Sequence, residues 1–397
     1  MNLNQYCVYM NNWPFIDNTG KIHLCCKNTK HLINDHDTIK TKTLTELYFS
    51  EKYNSIRKMM LEENNVEGCN ICYDYEKNVN QNNSFRNRSL RSLKSIKKES
   101  LEPYQDQKIR ALDLRLGSTC NLTCVMCHPT DSSKWFKIYP KFAKEVKQMS
   151  DSHVESVNRR LSPSLLNWAE HDSSWENIFS SVDSSLLKVY MAGGEPFYIK
   201  NLEEYTLKLI DKAPNAVIDI NTNATRFLTK KHLNQLSGKI SLRISIDGYK
   251  EADEYQRTGT SWDEKIKVID EYVHYFKVDS FDITISSLTI RSIPQLVKFL
   301  ENRYPNVSML FRPVVNRPGL AINNLPQELL QETKDFFVNL AKLKSSKYYN
   351  VDQMVQVLSA DYIDEKQILL RTVKHWDQLN TVKLNEFDQK LSEWIYE

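Results

Sequence analysis

Three cysteines, Cys120, Cys124 and Cys127, share one eight-residue run, Cys-Asn-Leu-Thr-Cys-Val-Met-Cys. A thiolate is a soft ligand, and three on one short loop can hold a transition metal or an iron–sulfur cluster. A four-iron cubane normally takes four cysteines, so a loop that supplies three leaves one iron open to a ligand from outside the protein. The rival chemistry is structural zinc, with His128 completing a Cys3His site. A second group comprises Cys7, Cys25, Cys69 and Cys72, the last two forming a CxxC, with Cys26 as a fifth thiol that is the alternative to Cys25 as a ligand. Four thiolates would saturate a cluster or a zinc and leave no open position.

These loops need a frame. Short β-rich runs at 111–116, 186–191, 216–221, 239–246, 281–289 and 307–314 alternate with helical patterns at 202–212, 229–237, 262–276 and 293–304. Such alternation predicts a parallel sheet with crossover helices, here an α/β fold built as an open, partial (β/α)6 TIM-like barrel. The three-cysteine loop directly follows the first of these strands, at the end where barrels carry their chemistry. Around the barrel at 110–320 we expect a small cysteine-rich α+β module at 1–76, a basic polar connector at 77–109, and a helical C-terminal extension at 321–397, packed against the barrel. An insertion is expected at 128–185. The connector carries Arg86, Arg88, Arg91, Lys94, Lys97 and Lys98, a charge run that reads as a solvated helix face.

Bulk composition narrows the classes. With 397 residues, 41% of them hydrophobic and 26% charged, the chain can bury a large core and is not a disordered tract. A net charge of +3 makes no case for nucleic acid or an anionic membrane as partner. Neither a secretory signal nor a bilayer-spanning run is read from the sequence, so a cytoplasmic location is expected, where grouped cysteines serve as ligands rather than disulfides.

A second motif lies one βα unit after the cysteine loop: Met191-Ala192-Gly193-Gly194-Glu195-Pro196. A glycine pair at a strand end lets backbone approach a ligand closely, and Glu195 adds an acceptor for an ammonium group. Together the two motifs resemble the radical SAM superfamily, whose marks are a CxxxCxxC loop after the first barrel strand and a GGEP segment after the second. The resemblance implies a 4Fe-4S cluster on Cys120, Cys124 and Cys127, with S-adenosylmethionine chelating the open iron through its amino and carboxylate groups. It implies that Gly193, Gly194, Glu195 and Pro196 receive the methionyl amino group. Asn223, in Thr222-Asn223-Ala224, stands where relatives often carry TNG. Ser245 and Asp247 would hold the ribose, Arg257 the cofactor carboxylate, and Met126 the adenine.

Cys7, Cys25, Cys69 and Cys72 resemble the auxiliary-cluster module of the SPASM and Twitch subgroup, placed before the barrel instead of after it. Gly20 to Cys25 is similar to that module's hairpin, and Leu44 to Met60 to its helices. A second 4Fe-4S cluster is implied, relaying electrons from a donor such as a flavodoxin or ferredoxin. The implied reaction is reductive cleavage of S-adenosylmethionine to a 5′-deoxyadenosyl radical that abstracts hydrogen from a peptide or protein side chain. A sugar, nucleotide or other small metabolite is the alternative substrate. The reading from another class is a zinc-binding, non-enzymatic nucleic-acid-binding protein that uses the basic connector.

Overall fold

Aliphatic and β-branched runs bounded by charged helices form the strands. The computed structural model describes residues 6–28, 37–63, 66–78, 84–100, 102, 104, 106–150, 154 and 163–397. Its strands are β1 (Phe15–Ile16), β2 (Ile22–His23), β3 (Ala111–Arg115), β4 (Thr123–Cys124), β5 (Lys188–Ala192), β6 (Val217–Thr222), β7 (Ile240–Ser245), β8 (Arg257–Thr258), β9 (Lys277–Ile285), β10 (Ser308–Pro313) and β11 (Tyr348–Tyr349). They make a mixed, mostly parallel sheet with intervening helices, a (β/α)-type fold, and a separate β4–β8 pair. Among the described residues, no helix is long and apolar enough to cross a membrane.

The chain divides into two compact units. The first comprises Met1–Thr119, Ser162–Ile220 and Lys230–Ser241, the second Cys120–Leu161, Asn221–Thr229 and Leu242–Glu397. In the first unit β3 runs parallel to β5, with Leu112 opposite Val189, and β5 runs parallel to β6. Leu112, Leu114, Val189, Met191, Ile218 and Ile220 are all buried, as expected of parallel strands covered on both faces. Helix Leu202–Lys212 buries Leu202, Tyr205, Thr206 and Leu209, a stripe at helical spacing, and Tyr205 stacks on Trp175 at 4.7 Å.

The N-terminal cysteine-rich segment does more than stand apart as a module. Its hairpin strand β1 pairs in parallel with β3, Phe15 opposite Asp113, and antiparallel with β2. Burial of Phe15, Ile16 and Ile22 favours this addition. Helix Leu44–Tyr48 then starts on a reciprocal cap, in which the Thr43 hydroxyl accepts from the Glu46 N–H and the Glu46 carboxylate accepts from the Thr43 N–H.

In the second unit β9 and β10 run parallel over six paired residues, from Ser280 opposite Ser308 to Ile285 opposite Pro313. Strand β9 starts at Lys277, earlier than the expected 281, and ends at Ile285 rather than 289. The early residues are hidden from an apolar reading because Lys277 and Asp279 form an ion pair at 2.6 Å. Ser286 and Ser287 are buried and hydrogen-bonded in a turn instead of extending the strand. The tail beyond Pro326 is not wholly helical either: Tyr348 and Tyr349 form β11 and pair in parallel with Met309 and Leu310 of β10.

The basic connector departs from expectation in part, since Arg88, Lys97 and Lys98 are exposed as expected while two of its cations are not. Helix Phe85–Ser95 buries Arg86 and Lys94 rather than presenting them to solvent. Arg86 meets the Glu76 carboxylate at 2.7 Å, and the Lys94 ammonium lies 3.4 Å from the centre of the Tyr104 ring. Each burial is offset by a partner of suitable charge or by a π face.

Candidate functional site

The three-cysteine loop lies in the second unit and is held from two sides. Strand β4 pairs antiparallel with β8, so that Cys124 stands opposite Arg257, and the Val125 N–H donates to the Gln256 carbonyl at 2.9 Å. From the insertion, the Trp135 indole N–H donates to the Cys124 carbonyl at 2.9 Å and the Ser132 hydroxyl to the Leu122 carbonyl at 2.6 Å. Cys124 is buried, while Cys120 and Cys127 are half-buried, as is Met126. The Cys124 and Cys127 thiols are hydrogen-bonded to each other. That bond holds Cys124 below its ordinary value despite burial, with Arg257 reinforcing the effect, and the same bond together with burial pushes Cys127 up. His128 turns its ring edge-on to Tyr139 at 5.0 Å. Burial, with Lys147 and Arg317 nearby, pushes it down to about 4.

Arg257 and Asp247, expected to touch different parts of one cofactor, meet each other here, Nη1 to Oδ2 at 2.8 Å. The other Asp247 oxygen accepts from the Thr284 N–H at 2.8 Å, and the Asp247 N–H donates to Asp253 at 2.7 Å. Asp253 in turn pairs with Lys265 at 2.7 Å, both side chains being 0% exposed. Burial works against the Arg257 charge, but Cys124, Asp247 and Asp253 around it raise its pKa well above the ordinary value. Its Nε is buried with no hydrogen-bond partner. An anionic group from outside the protein would satisfy that atom, so this corner suits a carboxylate-bearing ligand.

Two further strand ends reach the loop or its surroundings. The Asn223 amide donates to the Asn121 side chain, inside the cysteine loop, at 3.0 Å. Ala224 holds φ +52°, a left-handed conformation that favours glycine. The Ser245 hydroxyl donates to Asn221 at 3.1 Å.

The glycine pair belongs to the first unit. Gly194 has φ +56°, and a Cβ built on it would lie 2.3 Å from the carbonyl oxygen of Thr119, the residue before Cys120. Only glycine fits that approach. Glu195 is 1% exposed; its N–H donates to the same Thr119 carbonyl at 2.8 Å, and its carboxylate accepts from the Phe197 N–H at 3.3 Å, capping the short turn Pro196–Tyr198.

The second cysteine set gathers within the first unit. Cys7, Cys25, Cys69 and Cys72 line one small cavity together with Arg86. Cys26 is not among its lining residues; burial and Asp113 raise that thiol to about 11. Burial pushes Cys7 up to about 12 and raises Cys25, Cys69 and Cys72, while Arg86 opposes it at Cys7, Cys69 and Cys72. The first backbone N–H groups of helix Phe85–Ser95 point at Cys72. A cation and a helix N-terminus beside thiols favour their thiolate form, which a metal requires. Sequence reading missed Arg86 as part of this site. The available signal was its spacing with Leu90 and Leu93, which sets all three on one helix face behind the cap Ser84.

Among the described residues, no three or more His, Cys, Asp or Glu side chains converge on a point suited to a single metal ion. A four-iron cluster does not ask for that, because each thiolate takes a different iron at a different corner. The donor chemistry therefore fits: three thiols beside an arginine with an unsatisfied nitrogen, and four thiols around one cavity.

No protein-family model and no curated protein matches the chain. Among solved structures it is similar to native anSMEcpe with bound AdoMet, at 17% identity and a TM-score of 0.40 over 60% of this chain and 63% of that one. It is also similar to SuiB of Streptococcus suis bound to S-adenosylmethionine, at 13% identity and a TM-score of 0.35 over 69% of this chain and 60% of that one. SuiB of the same organism in a second structure aligns at 14% identity and a TM-score of 0.36 over 85% of this chain and 69% of that one. The aligned region is thus under two thirds of the length of the first two of these proteins.

Proposed function

We propose that the chain is a radical SAM enzyme with two 4Fe-4S clusters, the first on Cys120, Cys124 and Cys127 and the second on Cys7, Cys25, Cys69 and Cys72. When bound, the first cluster supplies the electron that breaks a sulfur–carbon bond of S-adenosylmethionine and yields a 5′-deoxyadenosyl radical, which takes hydrogen from the substrate. What carries the reading is the three-cysteine loop clipped at Cys124 against Arg257, whose buried Nε awaits an acceptor. The chain's own part is to orient and to exclude water. Arg257 would turn a donor to the cofactor carboxylate, and Trp135 and Ser132 would keep the loop from shifting. Gly193, Gly194, Glu195, Pro196, Asn223, Ser245, Asp247 and Met126 would make the cofactor contacts that the family resemblance implies. The second cluster would pass electrons from a flavodoxin or ferredoxin. The auxiliary-module resemblance points to a peptide side chain as substrate, whereas a cavity beside Cys127 favours a small molecule, the reading developed below.

The test is an oxygen-free purification and cluster reconstitution, followed by metal counting and addition of S-adenosylmethionine with a reductant. About eight irons per chain are expected, with release of 5′-deoxyadenosine. Cys120→Ala should abolish cleavage, and Cys69→Ser should lower the iron content to about half. About two zincs per chain with no cleavage would sink the proposal.

A further inference from the structure

A cavity of about 540 Å³ lies in the second unit, and Cys127 and His128 form part of its wall. One side is aromatic. Trp135, Tyr139 and Phe142 stand at helical spacing on helix Trp135–Glu145 and present a continuous face to the space. The lining is also cationic, with Lys147, Arg317 and Arg371, and no carboxylate is among its described residues. Lys147 holds its ammonium 5.7 Å from the Tyr139 ring centre, and the Arg371 Nε is spent on the Val146 carbonyl at 3.2 Å. Among the described residues, none of the three cations is in an ion pair.

Like charges gathered without a counter-charge repel one another, and partial burial takes some hydration from Lys147. Burial and then Arg317 lower the pKa of Lys147, the direction expected of a cation facing another with nothing between them. An anion between them would remove the repulsion and gain charge-assisted hydrogen bonds. The volume falls in the range of small-molecule sites.

We infer that this cavity binds a small organic anion as substrate, its apolar body on Trp135, Tyr139 and Phe142 and its acid group among Lys147, Arg317 and Arg371. The substrate role rests on the radical SAM reading, because Cys127 places the cavity beside the proposed cluster loop; the anion site does not.

Equilibrium dialysis of the full-length, cluster-reconstituted protein tests the site with a matched pair of probes, 8-anilinonaphthalene-1-sulfonate and its uncharged counterpart N-phenyl-1-naphthylamine. The sulfonate should bind at one per chain and about tenfold tighter than the neutral probe, the effect of one or two charge-assisted bonds. Lys147→Gln with Arg317→Gln, both at exposed positions that tolerate change, should erase that preference and leave the neutral probe unaffected. Lys147→Arg with Arg317→Lys should restore it. Equal binding of the two probes, indifference to the double variant, or displacement of the sulfonate by S-adenosylmethionine would overturn the assignment. A chain that passes this test yet never releases 5′-deoxyadenosine keeps the anion site and loses the reaction. A chain that cleaves S-adenosylmethionine but fails the test loses only the pocket.

Discussion

Asp113 shows how far burial can move a single group. It sits at 4% exposure on β3, and desolvation lifts its carboxyl from 3.8 to about 6, against the pull of Arg115. Because the folded-state value is raised, the stability it contributes is present in full below the ordinary carboxylate range and is lost as pH rises through about 6. A shift of about two units is worth about 3 kcal/mol as an order of magnitude. Asp113→Asn should therefore raise the unfolding free energy at pH 8 by about 2–3 kcal/mol, and the gain should shrink toward pH 4, as read from denaturant titrations at the two pH values. The cysteines themselves were legible at this scale, since their spacing is visible in the chain. That Asp247 and Arg257 bond to each other was not, because a residue's partner depends on the β4–β8 pairing and on the Thr284 backbone.

Between elements, the decisive contact is the wholly buried Asp253–Lys265 pair. Helix Trp262–Tyr275 supplies the lysine, helix Glu251–Gln256 the aspartate, and the aspartate also receives the Asp247 N–H at the end of β7. Removing only the cation leaves an uncompensated charge in the interior. Lys265→Met should cost about 3–5 kcal/mol in unfolding free energy, measured by chemical denaturation, far more than an exposed pair such as Lys267–Glu264 would. The alternation of strands and helices was readable: β3, β6, β7 and β10 start and end within one residue of expectation, as do the four helices assigned by period. Two-residue strands such as β1 and β11 carry no periodic signal and exist because a long neighbour offers them backbone partners. The burial of Arg86 escaped notice for a related reason, as its acidic partner Glu76 lies ten residues away on another helix.

Across the molecule, the two cysteine sets fall in different compact units, Cys7, Cys25, Cys69 and Cys72 in the first and Cys120, Cys124 and Cys127 in the second. That partition rests on contacts distant in sequence and could not be read from composition. On the proposed two-cluster reading each site draws its ligands from one unit, so replacing one set should leave the other able to load. The indole of Trp135, bonded to the very peptide that carries Cys124, adds a practical dividend. Iron–sulfur centres absorb broadly across the near ultraviolet and drain light from tryptophans close by, so emission should dim as iron and sulfide are titrated in, and Trp135→Phe should shrink that dimming. The share of the dimming that Trp135→Phe removes would then report, without labels, the filling of the loop that carries Cys124.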